Sequence, residues 1–537
     1  MKNASPRLLL VFALIGAICL CGCSVDKTEE QTEEQKTTTE SEIYLSDLFD
    51  IPIATVTDPA KTTTSDEEET TSSETEQPRE EYIEQRSNND FEYKVYTYHI
   101  ELEKYLGNNT KLEIPAEIDG LPVTIINSYC FSRNERLLDV NVPDSVLTIK
   151  DGAFSQCTNL TNVILPDTIT DIGQGVFEYC TYLENINIPT SLTEIPRSTF
   201  YECTKLKSIV IPDNIVSINE YAFRYCTELN NITFSQNLSA IGSEAFTGCN
   251  GLTELIFPDS VTTIGYELAK DCKNLTTVKL PQNLTTMSKG AFADCVMLTQ
   301  IDFNNCKLTD LGEYAFAGCT SLENIILPSE ITIISEGAFQ NCVSLENITL
   351  PENLIEIGKF AFNNCAIKSI TIPEKVCTLG TSSFLNCALT EITIPENVLE
   401  IPYSCFKECK NLEKVILPDT LLIIDENAFN KCEKLTSCEL PASIREIRYG
   451  AFSESGLIKV TIPQNVTEIS HSCFYKCSNL ETVILPDSLL VIKGDAFASC
   501  TNLKICEIPA SVREIETGFY YAFDDCDNLI SEIPEFE

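Results

Sequence analysis

From about Phe91 onward the apolar positions fall into a frame of roughly 23 residues. A typical unit runs Leu160-Thr-Asn-Val163-Ile-Leu165-Pro166, then Ile169 and Ile172, then Val176-Phe177-Glu-Tyr-Cys180. Phe marks the frame at 131, 154, 177, 200, 223 and 246 and again from 292 to 523; the frame at Leu268-Ala269 lacks it. Proline keeps the same register from Pro115 to Pro509, giving 18 repeats of 22 to 26 residues. The stretch Leu-x-x-Ile-x-Ile-Pro predicts a short strand whose alternate residues face opposite ways, ended by a residue that cannot extend the ladder. The following Ile-x-x-Ile and Ala-Phe-x-x-Cys spacings predict a turn of helix or 3₁₀ helix packing Ala, Phe and Cys inward. One such unit cannot bury its own apolar face, so stacking is required, and the fold class expected is an α/β solenoid whose strands form one long parallel sheet.

The first 90 residues follow other rules. Lys2 and Arg7 precede an apolar run, Leu8 to Leu20, of signal-peptide length. It ends in Leu20-Cys21-Gly22-Cys23, which resembles the bacterial lipobox and makes Cys23 the expected site of lipidation. No other stretch is apolar and long enough to span a bilayer, so residues 1–23 predict an exported protein anchored only by lipid. Residues 24–90 are rich in Thr and Glu, with a net charge of −15 over 67 positions, and predict a disordered tether. Within it Ile43 to Ile51 forms a small apolar island.

The repeat pattern over residues 91–537, Leu-x-x-Ile-x-Ile-Pro-x-x-Val-x-x-Ile-x-x-x-Ala-Phe-x-x-Cys, resembles the BspA-like, or Treponema-type, leucine-rich repeats of bacterial surface proteins. Residues 91–134, with Ile114-Pro115 and Gly120-Leu-Pro122, are similar to the opening unit of such arrays, and 501–537 form an atypical last unit. The resemblance implies a curved leucine-rich repeat array, with the parallel sheet on its concave face and short strands, 3₁₀ or helical turns on its convex side, used for binding proteins and for adhesion. It brings no catalytic residue with it.

Charge and chemistry narrow the function. With 80 acidic and 37 basic side chains the chain carries −43, which argues against phosphate-backbone recognition. Two histidines, His99 and His471, leave little material for histidine catalysis or metal binding. His471 stands two residues before Cys473, but Tyr403 takes that place in a tandem copy 68 residues earlier, so the pair is incidental. His99 is expected to pack, and Asp524-Asp525 to be solvated. Neither a catalytic residue, a metal site nor a cofactor is expected. Of 26 cysteines, sixteen occupy the last position of Ala-Phe-x-x-Cys, where side chains in a regular ladder point in parallel; buried thiols are expected there, not disulfides.

The residues two before each proline should project from the sheet: Asn187, Val210, Thr233, Ile256, Lys279, Asp302, Ile326 and Thr349 form the central part of a mildly apolar stripe suited to a protein ligand. The function expected is therefore that of a lipid-anchored surface protein that binds a protein partner, plausibly in adhesion. A self-associating envelope scaffold, through the end at Ser531 to Pro534, is the alternative, and a glycan-binding module a more distant one.

Overall fold

A computed structural model describes residues 80–516 and 521–531. Cys23, the island at 43–51 and the segment 532–534 lie outside the described residues. The chain opens with an antiparallel meander of β1 (Tyr82–Ser87), β2 (Phe91–Tyr96) and β3 (Ile100–Tyr105). Residues 80–90, expected in the tether, here supply β1 and the turn into β2. The alternation of β2 buries Phe91, Tyr93 and Val95. Next come β4 (Lys111–Glu113), β5 (Glu117–Ile118) and β6 (Leu121–Ile126). The last two form a hairpin closed by Asp119 and Gly120, both with positive φ (56° and 81°), as the two-residue turns compatible with strand twist require.

Two parallel ladders grow from this cap. The first extends from β4 through short strands, mostly of three residues, centred on Val140, Val163 and most of their successors. These are the strands expected before the prolines, but none forms before Pro373 or Pro441, and the ladder is broken into short sheets where one long sheet was expected. The second extends from β3 and β6 through two-residue strands that pair Ile126 with Ile149 and Ile149 with Ile172. It occupies the Ile-x-x-Ile spacing, where a helical turn was expected.

No helix of either kind occurs among the described residues. Each Ala-Phe-x-x-Cys segment is instead a corner in which the residues two before and two after the Phe take positive φ, as Gly175 and Tyr179 (both 58°) do around Phe177. A left-handed residue stops a helix after one turn. Alternate N–H groups bond within the corner, Glu178 to Gly175 O and Cys180 to Phe177 O at 3.1 Å. The others reach the next repeat: Gly175 to Arg197 O, Phe177 to Thr199 O and Tyr179 to Tyr201 O at 2.7–3.0 Å. The corner is thus a third ladder running up the stack.

Inside it the phenylalanines stack with near-parallel rings, centroids 4.7 Å apart for Phe131–Phe154 and 5.7 Å for Phe339–Phe362. Ala269 interrupts the column, and Leu268 fills the position usually held by Ala. Phe91 and Tyr105 lie against Phe131, closing the first layer. Sixteen corner thiols each donate to the backbone carbonyl at the Phe position of the preceding repeat, Cys249 to Phe223 O at 3.0 Å for example. All described cysteines are free. Cys438 and Cys506 replace core Ile or Val and are buried.

Candidate binding face

In each three-residue strand the middle side chain enters the core and its two neighbours face out, as Val163 does between Asn162 and Ile164. The residues two before each proline consequently share one outer face. Val210 and Ile256 are 64 % and 51 % exposed, Ile326 is 78 % exposed, and Asn187, Thr233, Asp302 and Thr349 are exposed beside them; Lys279 is half-buried. Two of the eight also serve the backbone. Asn187 accepts from Leu165 N–H at 2.9 Å and donates to Leu165 O at 2.7 Å, standing in for a strand bond. Asp302 accepts from Asn304 N–H at 2.8 Å, holding a turn whose Asn304 and Asn305 have positive φ.

A second row, four residues before each proline, shares this face. Here Asn185 donates to Asn162 at 2.6 Å and Asn162 to Asp139 at 2.5 Å, while Asn347 donates to Asn324 at 2.7 Å. The Asn162 amide, with Lys111 beside it, holds the Asp139 carboxyl below the usual carboxylate range. The spacing of these asparagines at 23 residues is the signal that could have found them. Between Ile164 and Val210 the face sinks into an open groove of about 800 Å³, bordered also by Asn162, Asn185 and Asn187.

The corner carries the tyrosines. Tyr179 packs edge-on against Tyr201 at 5.1 Å, and Tyr201 against Tyr225 at 6.2 Å. Arg197 and Arg224 sit over the Tyr221 ring at 5.0 and 5.4 Å, so its face is already covered. Arg224 pairs with Glu244 at 2.8 Å; burial pushes that carboxyl up despite the opposing guanidinium.

The remaining candidates do not converge. His471 is exposed, 3.6 Å from Glu516, whereas Cys473 is fully buried with its thiol pushed well above its ordinary value by desolvation. His99 is buried, stacked on Tyr96 at 4.6 Å and in contact with Glu80. Asp525 accepts from Ser499 at 3.4 Å. Among the described residues there is no group of three His, Cys, Asp or Glu able to hold a metal ion, and no helix long and apolar enough to cross a membrane.

The family model of the BspA-type leucine-rich repeat region matches residues 105–215, 193–323, 309–419 and 399–530. Among solved structures, a leucine-rich repeat protein from Bacteroides ovatus is 25 % identical, with a TM-score of 0.48 over 83 % of this chain and 100 % of its own. A leucine-rich cell surface protein from Faecalibacterium prausnitzii is 24 % identical, with a TM-score of 0.39 over 79 % of this chain and 94 % of its own. The pneumococcal vaccine antigen PcpA is 19 % identical, with a TM-score of 0.36 over 75 % and 98 %. No curated protein matches the chain.

Proposed function

The chain belongs to the BspA-type leucine-rich repeat family, and from that premise we propose that it is an exported bacterial protein, held at the cell envelope by lipid on Cys23, whose first-ladder face binds a protein ligand in adhesion to a host or neighbouring cell. The observation that carries this reading is the row of solvent-facing Ile164, Val210, Ile256 and Ile326, each on a short hydrogen-bonded strand of the first ladder. Apolar side chains carried outward on an ordered strand bind with little backbone ordering cost, and the flanking asparagines supply amide donors and acceptors.

The test compares cells displaying the native chain with cells displaying the Val210→Glu, Ile256→Glu variant, scored for adherence to immobilised extracellular matrix proteins and to neighbouring bacteria. Adherence should fall at least about tenfold, as loss of one or two anchoring side chains does; equal adherence ends the reading. Retention of a Cys23→Ala chain in the membrane fraction would end the anchoring part. A self-associating scaffold is the second reading, supported by β1, whose side chains are all exposed and whose outer edge has no partner among the described residues. Its measurement is concentration-dependent sedimentation.

A further inference from the structure

Most repeats place three residues' distance between the corner Cys and the next strand's Leu, as from Cys157 to Leu160, where Leu160 N–H bonds Cys157 O at 3.0 Å. One residue is missing at three places: Cys365-Ala-Ile367, Cys387-Ala-Leu389 and Ser455-Gly-Leu457. At each of these places the first ladder loses its backward pairing. After Cys387, the first-ladder strand Glu391–Thr393 pairs only forward, with Lys414–Ile416, and the second-ladder strands Thr378–Leu379 and Glu400–Ile401 belong to different sheets. After Ser455 the same happens: Lys459–Thr461 pairs only forward, and Glu446–Ile447 does not pair with Glu468–Ile469. Everywhere else among the described residues at least one of the two ladders crosses between consecutive turns, down to the single bridge Asp310–Ile333. After Cys365 the second ladder still crosses, Glu356–Ile357 to Thr378–Leu379.

At both double gaps the corner holds. Phe384 N–H bonds Cys405 O at 3.0 Å and Phe452 N–H bonds Cys473 O at 2.9 Å. Phe384 stacks on Phe406 at 5.5 Å and Phe452 on Phe474 at 5.7 Å. Single bonds at the strand entrances, Thr390 N–H to Lys368 O and Ile458 N–H to Thr436 O, both 3.0 Å, also remain. Pro402 contributes to the first gap, because in most turns the residue after the second-ladder Ile donates backward, as Gly380 does to Ile357 O at 2.7 Å, and proline has no N–H to give. Pro196, in the same place after Ile195, likewise sits where the second ladder is interrupted, although there the first ladder still crosses.

We infer that these two interfaces are hinges: two ladders open while the corner column acts as the spine, so that the three turns of residues 389–456, a tandem copy unit, swing between the longer N-terminal array and the C-terminal turns. The binding face would then be adjustable in its C-terminal third and stiff before it.

The native chain contains its own controls. Leu399 and Thr467 N–H find no acceptor, whereas at the same register Leu422 N–H bonds Leu399 O at 2.9 Å and Leu490 N–H bonds Thr467 O at 2.8 Å. Hydrogen exchange of the full chain should be at least about tenfold faster over 398–401 and 466–469 than over 421–424 and 489–492, as expected where local opening is easier. For motion itself, spin labels on non-cysteine side chains at Thr349 and Thr461 span five turns and both hinges, and labels at Thr233 and Thr349 span five turns and neither. The first pair should give the broader distance distribution. Inserting one asparagine between Ala388 and Leu389 should narrow it. Equal exchange at the paired positions, or equal widths for the two label pairs, overturns the inference.

Discussion

At the scale of single residues, the thiols are the most informative groups. Desolvation pushes Cys157, Cys342 and Cys387 up to about 12 from an ordinary value near 9. Their carbonyl bonds satisfy the one proton each carries, so each behaves as a small apolar side chain with a weak donor. Cys377 alone among the described cysteines is exposed. Alkylation of the native chain followed by peptide mapping should label Cys377 within minutes and leave the corner thiols untouched until the chain is unfolded; early labelling of Cys249 would contradict the burial seen here. The same shifts fix a pH dependence. A thiol whose folded value is raised stays protonated when folded but ionises once unfolded above about pH 9, so stability is complete below 9 and drops as pH climbs toward 12. Each such thiol weakens folding by about 1.4 kcal/mol per pH unit in that window. Urea midpoints measured from pH 8 to 11 should therefore fall steeply only beyond 9. That the cysteines were a ladder was legible from their period. Their carbonyl partner was not, because it lies 26 residues back for Cys249 and depends on the exact path of the corner.

At the scale of the element, the corner is where sequence and structure part company. Strands before each proline could be read directly, since alternation and the proline stop are both local signals. A helix was expected for Ala-Phe-x-x-Cys because apolar residues three and four apart are what a helical face looks like. The left-handed residues that break it are more often side-chain-bearing residues such as Tyr179, Glu202, Asn341 and Lys431 than glycine, so composition gives no warning. The second ladder was legible only as one of three options, short strand, 3₁₀ or helical turn, because two-residue strands such as Asp171–Ile172 are too short to alternate. Gly337 tests the geometry. Its φ is 61°, and an added Cβ would sit 2.3 Å from the Tyr314 ring; at Gly175, with φ 58°, the Cβ would meet only the flexible end of Glu178 at 3.0 Å. Gly175→Ala should cost about 1–2 kcal/mol from the backbone alone, and Gly337→Ala more, as read by thermal unfolding. Equal losses would mean that Tyr314 moves aside freely. Phe339→Ala, by contrast, empties a fully buried site between two stacked rings, and a loss of about 3–5 kcal/mol is expected.

At the scale of the whole array, stability is close to a sum of turns and of the interfaces between them, because each turn touches chiefly its neighbours, with a few side-chain exceptions such as Asn304 to Asp259. The N-terminal meander is then a cap and not a further repeat. It converts the exposed end of the Phe column into a covered layer, with Phe91 6.2 Å and Tyr105 5.4 Å from Phe131. Its last strand, β3, also seeds the second ladder by pairing parallel with β6 through Ile100 and Val123. The sequence suggested an atypical opening unit at 91–134 but could not show that residues 82–87 join it, since the charged, exposed strand β1 has the composition of the tether before it. Replacing Phe91 and Tyr105 together by alanine should uncover the Phe131 ring without touching any repeat. In a nearest-neighbour array the damage is local: hydrogen exchange should rise over the turns that hold Phe131 and Phe154, fade over the next few, and leave the turns beyond residue 389 unchanged, since the hinge there uncouples them further. A uniform rise along the whole chain would instead mean that the stack unfolds as one cooperative unit, with the corner column alone carrying the coupling across both gaps.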